Sequence, residues 1–175
     1  MQVRRGYISE YLRLSPRGVE IGETMARPAR VLLLCTGNSC RSQIAEGFAR
    51  HYAGDRLEVY SAGTAPEPIR GETVEVMREV DIDISGQRSK GLDEVPHEVD
   101  VVVTVCDRAA EACPFFPGSP RVLHWSLPDP AQAQGAPDQV REEYRAVRDR
   151  IAELVRSLVA ELTGPNPFGS AQGKP

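Results

Sequence analysis

Apolar residues run unbroken through Val31-Leu32-Leu33-Leu34, the mark of a strand buried on both faces. The period then lengthens. Ile44, Phe48 and Tyr52 recur four apart, which predicts an amphipathic helix over Ser42–Tyr52. Leu57–Tyr60 reads as a second short strand. Ile69–Val80 predicts a second helix that turns Val76, Met77 and Val80 inward. Val99–Val105, centred on Val101-Val102-Val103, predicts a third strand, and Arg121–His124 a fourth. Asp138–Leu162 carries Val140, Tyr144, Val147, Ile151, Leu154, Leu158 and Leu162 at steps of three and four, the signature of a long helix. Strands alternating with helices predict an α/β fold: a four-stranded parallel sheet flanked by helices, in a single domain. No internal repeat interrupts the pattern.

The ends of the chain lack this periodicity. Residues 1–29 mix Arg, Glu, Gly and Pro with scattered Ile8, Leu12 and Leu14, and are expected to form a poorly ordered extension. Arg4 and Arg5 are not followed by the apolar stretch of ~7–15 residues that a signal peptide requires. Met25 stands just before the first strand, which suggests a translation start there; recovery of Met1 or Gln2 at the native N-terminus would exclude it. Gly164-Pro165-Asn166-Pro167 punctuates the other end, so 163–175 reads as a loose tail and 30–162 as the folded domain.

Composition narrows the function classes. The 175 residues carry 21 Lys+Arg against 25 Asp+Glu, a net charge of −4, so the global basic footprint of a nucleic-acid binder is absent. The five-residue apolar run Val31–Cys35 falls far short of the ~18–20 residues of a membrane span. Four cysteines are too few for a disulfide scaffold in a chain of this length. A cytoplasmic protein without membrane or nucleic-acid partners is expected, and nothing demands more than a monomer.

The chemistry concentrates where strands end. Cys35-Thr36-Gly37-Asn38-Ser39-Cys40-Arg41-Ser42 lies between a buried strand and an amphipathic helix, where open α/β sheets bind ligands. Such a loop can turn successive N–H groups toward one point, and the helix behind it adds a positive dipole end. Cys35 then lies beneath a bound oxyanion with Arg41 beside it, able to grip two oxygens. The same amides and charge favour a thiolate, so Cys35 is the candidate nucleophile and Ser42 a hydrogen-bond donor to its sulfur. Thr36, Gly37, Asn38, Ser39, Cys40, Arg41 and Ser42 are the candidate substrate-binding residues, with the Cys40 side chain expected to be packed. After the third strand stand Cys106 and Cys113, separated by small or polar residues without an apolar anchor beyond alanines. Strand ends on that side share the crevice of Cys35, so three thiols come within reach of a relay. Inert thiols are the alternative. Zinc sites pair cysteines at ~2–4 intervening residues, which neither pair matches, and His51, His97 and His124 show no ligand spacing. No metal and no cofactor are expected. Asp129, fixed between Pro128 and Pro130, is by itself a turn; beside a nucleophilic loop it is the candidate general acid.

These residues resemble a known family. From Arg30 to Leu162, about three quarters of the chain, the sequence is similar to the thioredoxin-coupled arsenate reductases, which share the fold of the low-molecular-weight tyrosine phosphatases. The likeness is carried by Cys35–Arg41 with Ser42-Gln43-Ile44-Ala45-Glu46-Gly47, by Tyr60-Ser61-Ala62-Gly63, and by Glu79 to Ser85. It continues through Val103-Thr104-Val105-Cys106, Cys113-Pro114, His124-Trp125 and Asp129-Pro130-Ala131. The loop alone fits a phosphatase equally; the Cys106/Cys113 pair discriminates. Ala131 also stands where phosphatases of this type tend to carry tyrosine. The resemblance implies arsenate as substrate and thioredoxin as partner. Cys35 would attack arsenic with Asp129 assisting the departing oxygen. Cys106 would then form a disulfide with Cys35 as arsenite leaves, and Cys113 would resolve it to Cys106–Cys113. Some members bind potassium behind the loop; Asn38, Glu46 and Ser61 match three of its ligands, but Lys90 occupies the fourth position. An ammonium there would neutralise Glu46 internally, so no potassium dependence is expected; a solvated surface lysine is the alternative. Gly86-Gln87-Arg88 also departs from the family pattern. Two other readings are a phosphatase working through Cys35, Arg41 and Asp129 alone, and a non-enzymatic redox or arsenic sensor.

Overall fold

Four parallel strands form one sheet in the order β2-β1-β3-β4. The computed structural model describes residues 27–111, 116–118 and 120–164. The expectations for residues 1–26, for 165–175 and for Cys113 lie outside these. β1 (Ala29–Cys35) is central, because its continuous apolar run needs cover on both faces; Leu32, Leu33 and Leu34 are fully buried. It pairs with β2 (Leu57–Gly63) on one side and β3 (Val101–Thr104) on the other. β4 (Arg121–His124) closes the far edge, and its mixed composition fits an edge position, with Val122 left 59% exposed.

Helices α1 (Arg41–Ala53), α2 (Gly71–Arg78), α3 (Asp107–Glu111) and α4 (Pro137–Thr163) fill the connections. α1 packs on β1 and β2, and α4 covers α1 and α2. α4 starts with Pro137, whose fixed φ suits a first turn, and Gln139 accepts the Ala136 N–H at 2.9 Å. Its buried stripe is Tyr144, Val147, Arg148, Ile151, Val155, Leu158 and Val159. Val140, Leu154 and Leu162, expected inward, are only half-buried. A single ladder of threes and fours describes too narrow a face for a helix that covers two others.

Two further expectations are corrected. Val80 was expected to face the core with Val76 and Met77. α2 stops at Arg78, the chain turns through Asp81 at φ 59°, and Val80 is left 37% exposed in the turn. β2 runs three residues beyond Tyr60, because Ser61, Ala62 and Gly63 continue the ladder beside Leu33, Leu34 and Cys35. Among the described residues, no helix is long and apolar enough to cross a membrane.

The register matters for the site. Cys35 lies opposite Gly63, Leu34 opposite Thr104, and Thr104 opposite His124. The segments carrying Cys35–Arg41, Gly63–Arg70, Cys106 and Asp129 therefore all emerge at the carboxyl edge of one sheet.

Candidate active site

A loop that hosts an anion must direct its N–H groups inward and find partners for its carbonyls elsewhere. Here every carbonyl from Cys35 to Cys40 is satisfied from outside the loop. The residues after β2 form a collar: Thr64, Ala65, Glu67 and Arg70 donate their N–H groups to the carbonyls of Cys35, Thr36, Gly37 and Ser39 at 3.2, 2.8, 2.7 and 3.1 Å. Ser89 Oγ and Thr73 Oγ1 add second donors to Gly37 and Ser39. Gln43 Nε2 donates to the Asn38 carbonyl, and Ile44 N–H to that of Cys40. The loop amides are what remain for the pocket. That of Asn38 donates to Cys35 Sγ at 3.0 Å.

Asn38 is the keystone. Its φ of 46° lies in the left-handed region, where asparagine is among the few side chains tolerated. Its amide makes four side-chain bonds: Nδ2 donates to Ser42 Oγ and Ser61 Oγ, each at 2.8 Å, while Oδ1 accepts from Gln43 Nε2 and the Lys90 N–H at 2.9 and 2.8 Å. Because the Ser42 oxygen accepts from Asn38, its hydrogen is left for Cys35 Sγ, 2.9 Å away. The expected role of Ser42 is thus matched by the geometry.

Behind Asn38 sits a buried carboxylate. Glu46 accepts from Ser61 Oγ, from Arg50 Nε and Nη2 at 2.9 and 2.8 Å, and faces Lys90 Nζ at 3.4 Å. Lys90 Nζ also donates to the Arg88 carbonyl at 2.9 Å, and its side chain is 14% exposed. Lys90 is therefore no solvated surface lysine. With two cations already on Glu46, the residues present do not offer a donor set for a potassium ion. Arg50 was absent from the sequence reading, although its position four residues after Glu46 on a helix is a visible signal.

On the pocket side, Arg41 Nη2 lies 3.2 Å from Asp129 Oδ2, and Nη1 donates to the Leu127 carbonyl at 3.0 Å. Asp129 also accepts the Ala131 N–H at 3.2 Å, as an N-cap of the turn Pro130–Gln132. Cys35, Arg41 and Asp129 thus line one polar pocket of about 230 Å³. Thr36, Gly37, Ser39 and Cys40 complete the floor; Glu67, Arg70 and Arg108 form the rim. Cys40 is packed, as expected, at 4% exposure, and burial pushes its thiol up to about 12, against the pull of a hydrogen bond with Thr73.

Cys106 Sγ lies 3.5 Å from Thr36 Oγ1, against the loop that begins at Cys35. The segment after it is better anchored than its composition suggests. Ala109 is fully buried, and Asp107 accepts from Ser126 Oγ at 2.9 Å and His124 Nε2 at 3.0 Å. Those two bonds, Ser126 first, hold the Asp107 carboxyl below its ordinary range. Because that carboxylate only accepts, Nε2 carries the imidazole proton, and Nδ1 can accept from Thr104 Oγ1 at 2.8 Å. Sequence reasoning missed His124 here, since it looked for metal-ligand spacing.

Comparison with known proteins finds relatives over most of the chain. The model of the family of low molecular weight phosphotyrosine protein phosphatases matches residues 30–166. The chain is 42% identical to an arsenate reductase of Halalkalibacterium halodurans over 129 residues, 73% of this chain and 93% of that protein. Among solved structures, it resembles an arsenate reductase in the phosphate binding state, with a TM-score of 0.63, 31% identity, and coverage of 77% of this chain and 98% of that one. A thioredoxin-dependent arsenate reductase of Corynebacterium glutamicum matches with a TM-score of 0.58 and 32% identity, over 76% of this chain and 63% of that one.

Proposed function

The chain belongs to the low molecular weight phosphotyrosine protein phosphatase family, and from that premise we propose that it reduces arsenate to arsenite, with Cys35, Cys106 and Cys113 as a thiol relay recycled by thioredoxin. The observation that carries this reading over simple phosphate-ester hydrolysis is the second thiol: Cys106 Sγ is seated against Thr36 of the oxyanion loop. A phosphatase needs no such group. Cys35 ends β1 and Cys106 stands two residues past the end of the adjacent β3, so the two thiols emerge at one edge of neighbouring strands, where a disulfide requires a Cα separation of ~4.4–6.8 Å.

In the first step the Cys35 thiolate attacks arsenic, and an As–O bond breaks. Asp129 delivers the proton that lets the oxygen leave as water, while Arg41 and the loop amides hold the remaining oxygens. In the second, the Cys106 thiolate attacks Cys35 Sγ. The S–As bond breaks, its electron pair stays on arsenic, and arsenite departs as a Cys35–Cys106 disulfide forms. Third, the Cys113 thiolate attacks Cys106 Sγ and releases the Cys35 thiolate. Thioredoxin supplies the two electrons that reduce the Cys106–Cys113 disulfide. No metal enters any step.

The pocket adds support. At about 230 Å³ it is smaller than the ~300–1,000 Å³ pockets that enclose drug-sized ligands, and charged and small polar side chains, with Ala131, line it instead of aromatic rings. The test is arsenate-dependent NADPH oxidation with thioredoxin and thioredoxin reductase, omitting each component in turn. Turnover requiring both arsenate and thioredoxin, abolished in Cys106→Ser while aryl phosphate hydrolysis persists, is the expected result. Reduced, folded protein that hydrolyses aryl phosphates but leaves arsenate untouched would make it a phosphatase.

A further inference from the structure

Arg108 stands two residues after Cys106 and lines the same pocket as Cys35, Arg41 and Arg70. It belongs to α3, a helix of five residues. Two anchors fix how α3 sits. Asp107 is bonded to Ser126 and His124 at the end of β4, and Ala109 is fully buried. Between those anchors, Arg108 faces the oxyanion pocket. Among the described residues no carboxylate forms an ion pair with Arg108, whereas Arg41 has Asp129 and Arg70 has Glu67. An anion in the loop is thus the counter-charge that the site offers to Arg108.

We propose, on the reading given above, that Arg108 is an oxyanion-contacting residue that ties the position of Cys106 to the charge in the pocket. Substrate enters as an anion, and the guanidinium closes over its outer oxygens. That contact holds α3 in its seat on the loop and keeps Cys106 beside Thr36 while Cys35 reacts. Arsenous acid, the product, is uncharged at neutral pH. Its formation removes the attraction, and α3 is released when Cys106 must turn from Cys35 toward Cys113. Substrate charge thereby times the hand-over without any separate signal.

The experiment uses inorganic phosphate, an unreactive anion for the relay, on the full reduced chain. Affinity is read from protection of Cys35 against alkylation, and the state of α3 from amide hydrogen exchange of the peptide over residues 106–111. In the unsubstituted protein, saturating phosphate should slow that exchange. In Arg108→Gln, phosphate should bind about fivefold more weakly, the scale of one partly screened charge contact, and at saturation should leave the exchange of α3 unchanged. Arg108→Lys should restore part of both effects. Equal affinity and equal slowing in Arg108→Gln would overturn the proposal. Failure of phosphate to protect Cys35 even in the unsubstituted protein would instead overturn the oxyanion loop itself, and the proposal with it.

Discussion

Gly63→Ala is the sharpest test of how the loop is held. Gly63 ends β2 opposite Cys35. A Cβ there would stand 2.6 Å from the Thr36 carbonyl oxygen, 2.9 Å from the Asn38 nitrogen and 3.0 Å from Asn38 Cβ. None of these is the free end of a flexible side chain, so the loop itself must retreat. Even to reach a tight contact of roughly 3.0 Å, Thr36 must move by about 0.4 Å. The Asn38 N–H donates to Cys35 Sγ at 3.0 Å and would move with it. A 1 Å misplacement can cost ~100-fold in rate, so about tenfold is expected here. Overpacking of this kind costs about 1–3 kcal/mol, or about 4–12 °C in melting temperature for a domain of this size. The assay is kcat for aryl phosphate hydrolysis and for arsenate reduction, with thermal unfolding alongside. Both activities should fall by the same factor, because both use the loop. Gly86→Ala, where a Cβ meets nothing within 4 Å, is the silent control. A Gly63→Ala protein with unchanged kcat on both substrates and an unchanged melting temperature would refute the argument.

Other outcomes follow from the same contacts. Asn38→Ala loses four buried side-chain hydrogen bonds and should lower stability by about 2–4 kcal/mol in denaturant titrations; Asn38→Gly, which relieves only the positive φ, should recover little of it. Glu79 is held at about 2, by Arg145 foremost and Arg148 as well. Its ionised form therefore stabilises the fold above the ordinary carboxylate range, and that contribution fades as pH falls from about 4.5 toward 2. Glu79→Gln should accordingly lower the melting temperature at neutral pH and flatten its decline across that window, as followed by circular dichroism. Replacing sodium by potassium at equal ionic strength should leave turnover unchanged, since Lys90 and Arg50 already serve Glu46; clear potassium activation would refute this.

Much of the fold could be read from the chain. The unbroken run at β1 and the Val-rich β3 have no good alternative to buried strands, and the loop between β1 and α1 marked itself by Cys35, Gly37 and Arg41. What escaped was whatever depends on distant segments. The small residues Ser61-Ala62-Gly63 carry no strand propensity, yet they complete β2 because the loop needs a thin neighbour. The collar from Thr64 to Arg70 acts through backbone N–H groups, which leave no trace in side-chain pattern. Lys90 was expected on Glu46, but Arg50 joins it there only after the chain has folded, and the partners of His124 come from β3 and α3. Cys35, Arg41 and Asp129, which the fold brings to one pocket, stood out in the sequence; Arg50, His124 and the backbone collar did not.

Cys40 has a consequence for electron traffic. The loop contains two sulfurs, and a disulfide exchange runs through whichever is ionised. A thiol titrating near 12 is ionised in about one molecule in 10⁵ at pH 7. Cys40 thus works as insulation: it fills space beneath the pocket but conducts almost nothing. Burial is the main force that keeps the second sulfur of the loop protonated, and in the proposed relay it leaves Cys35 to exchange outward, across the strand boundary, with Cys106.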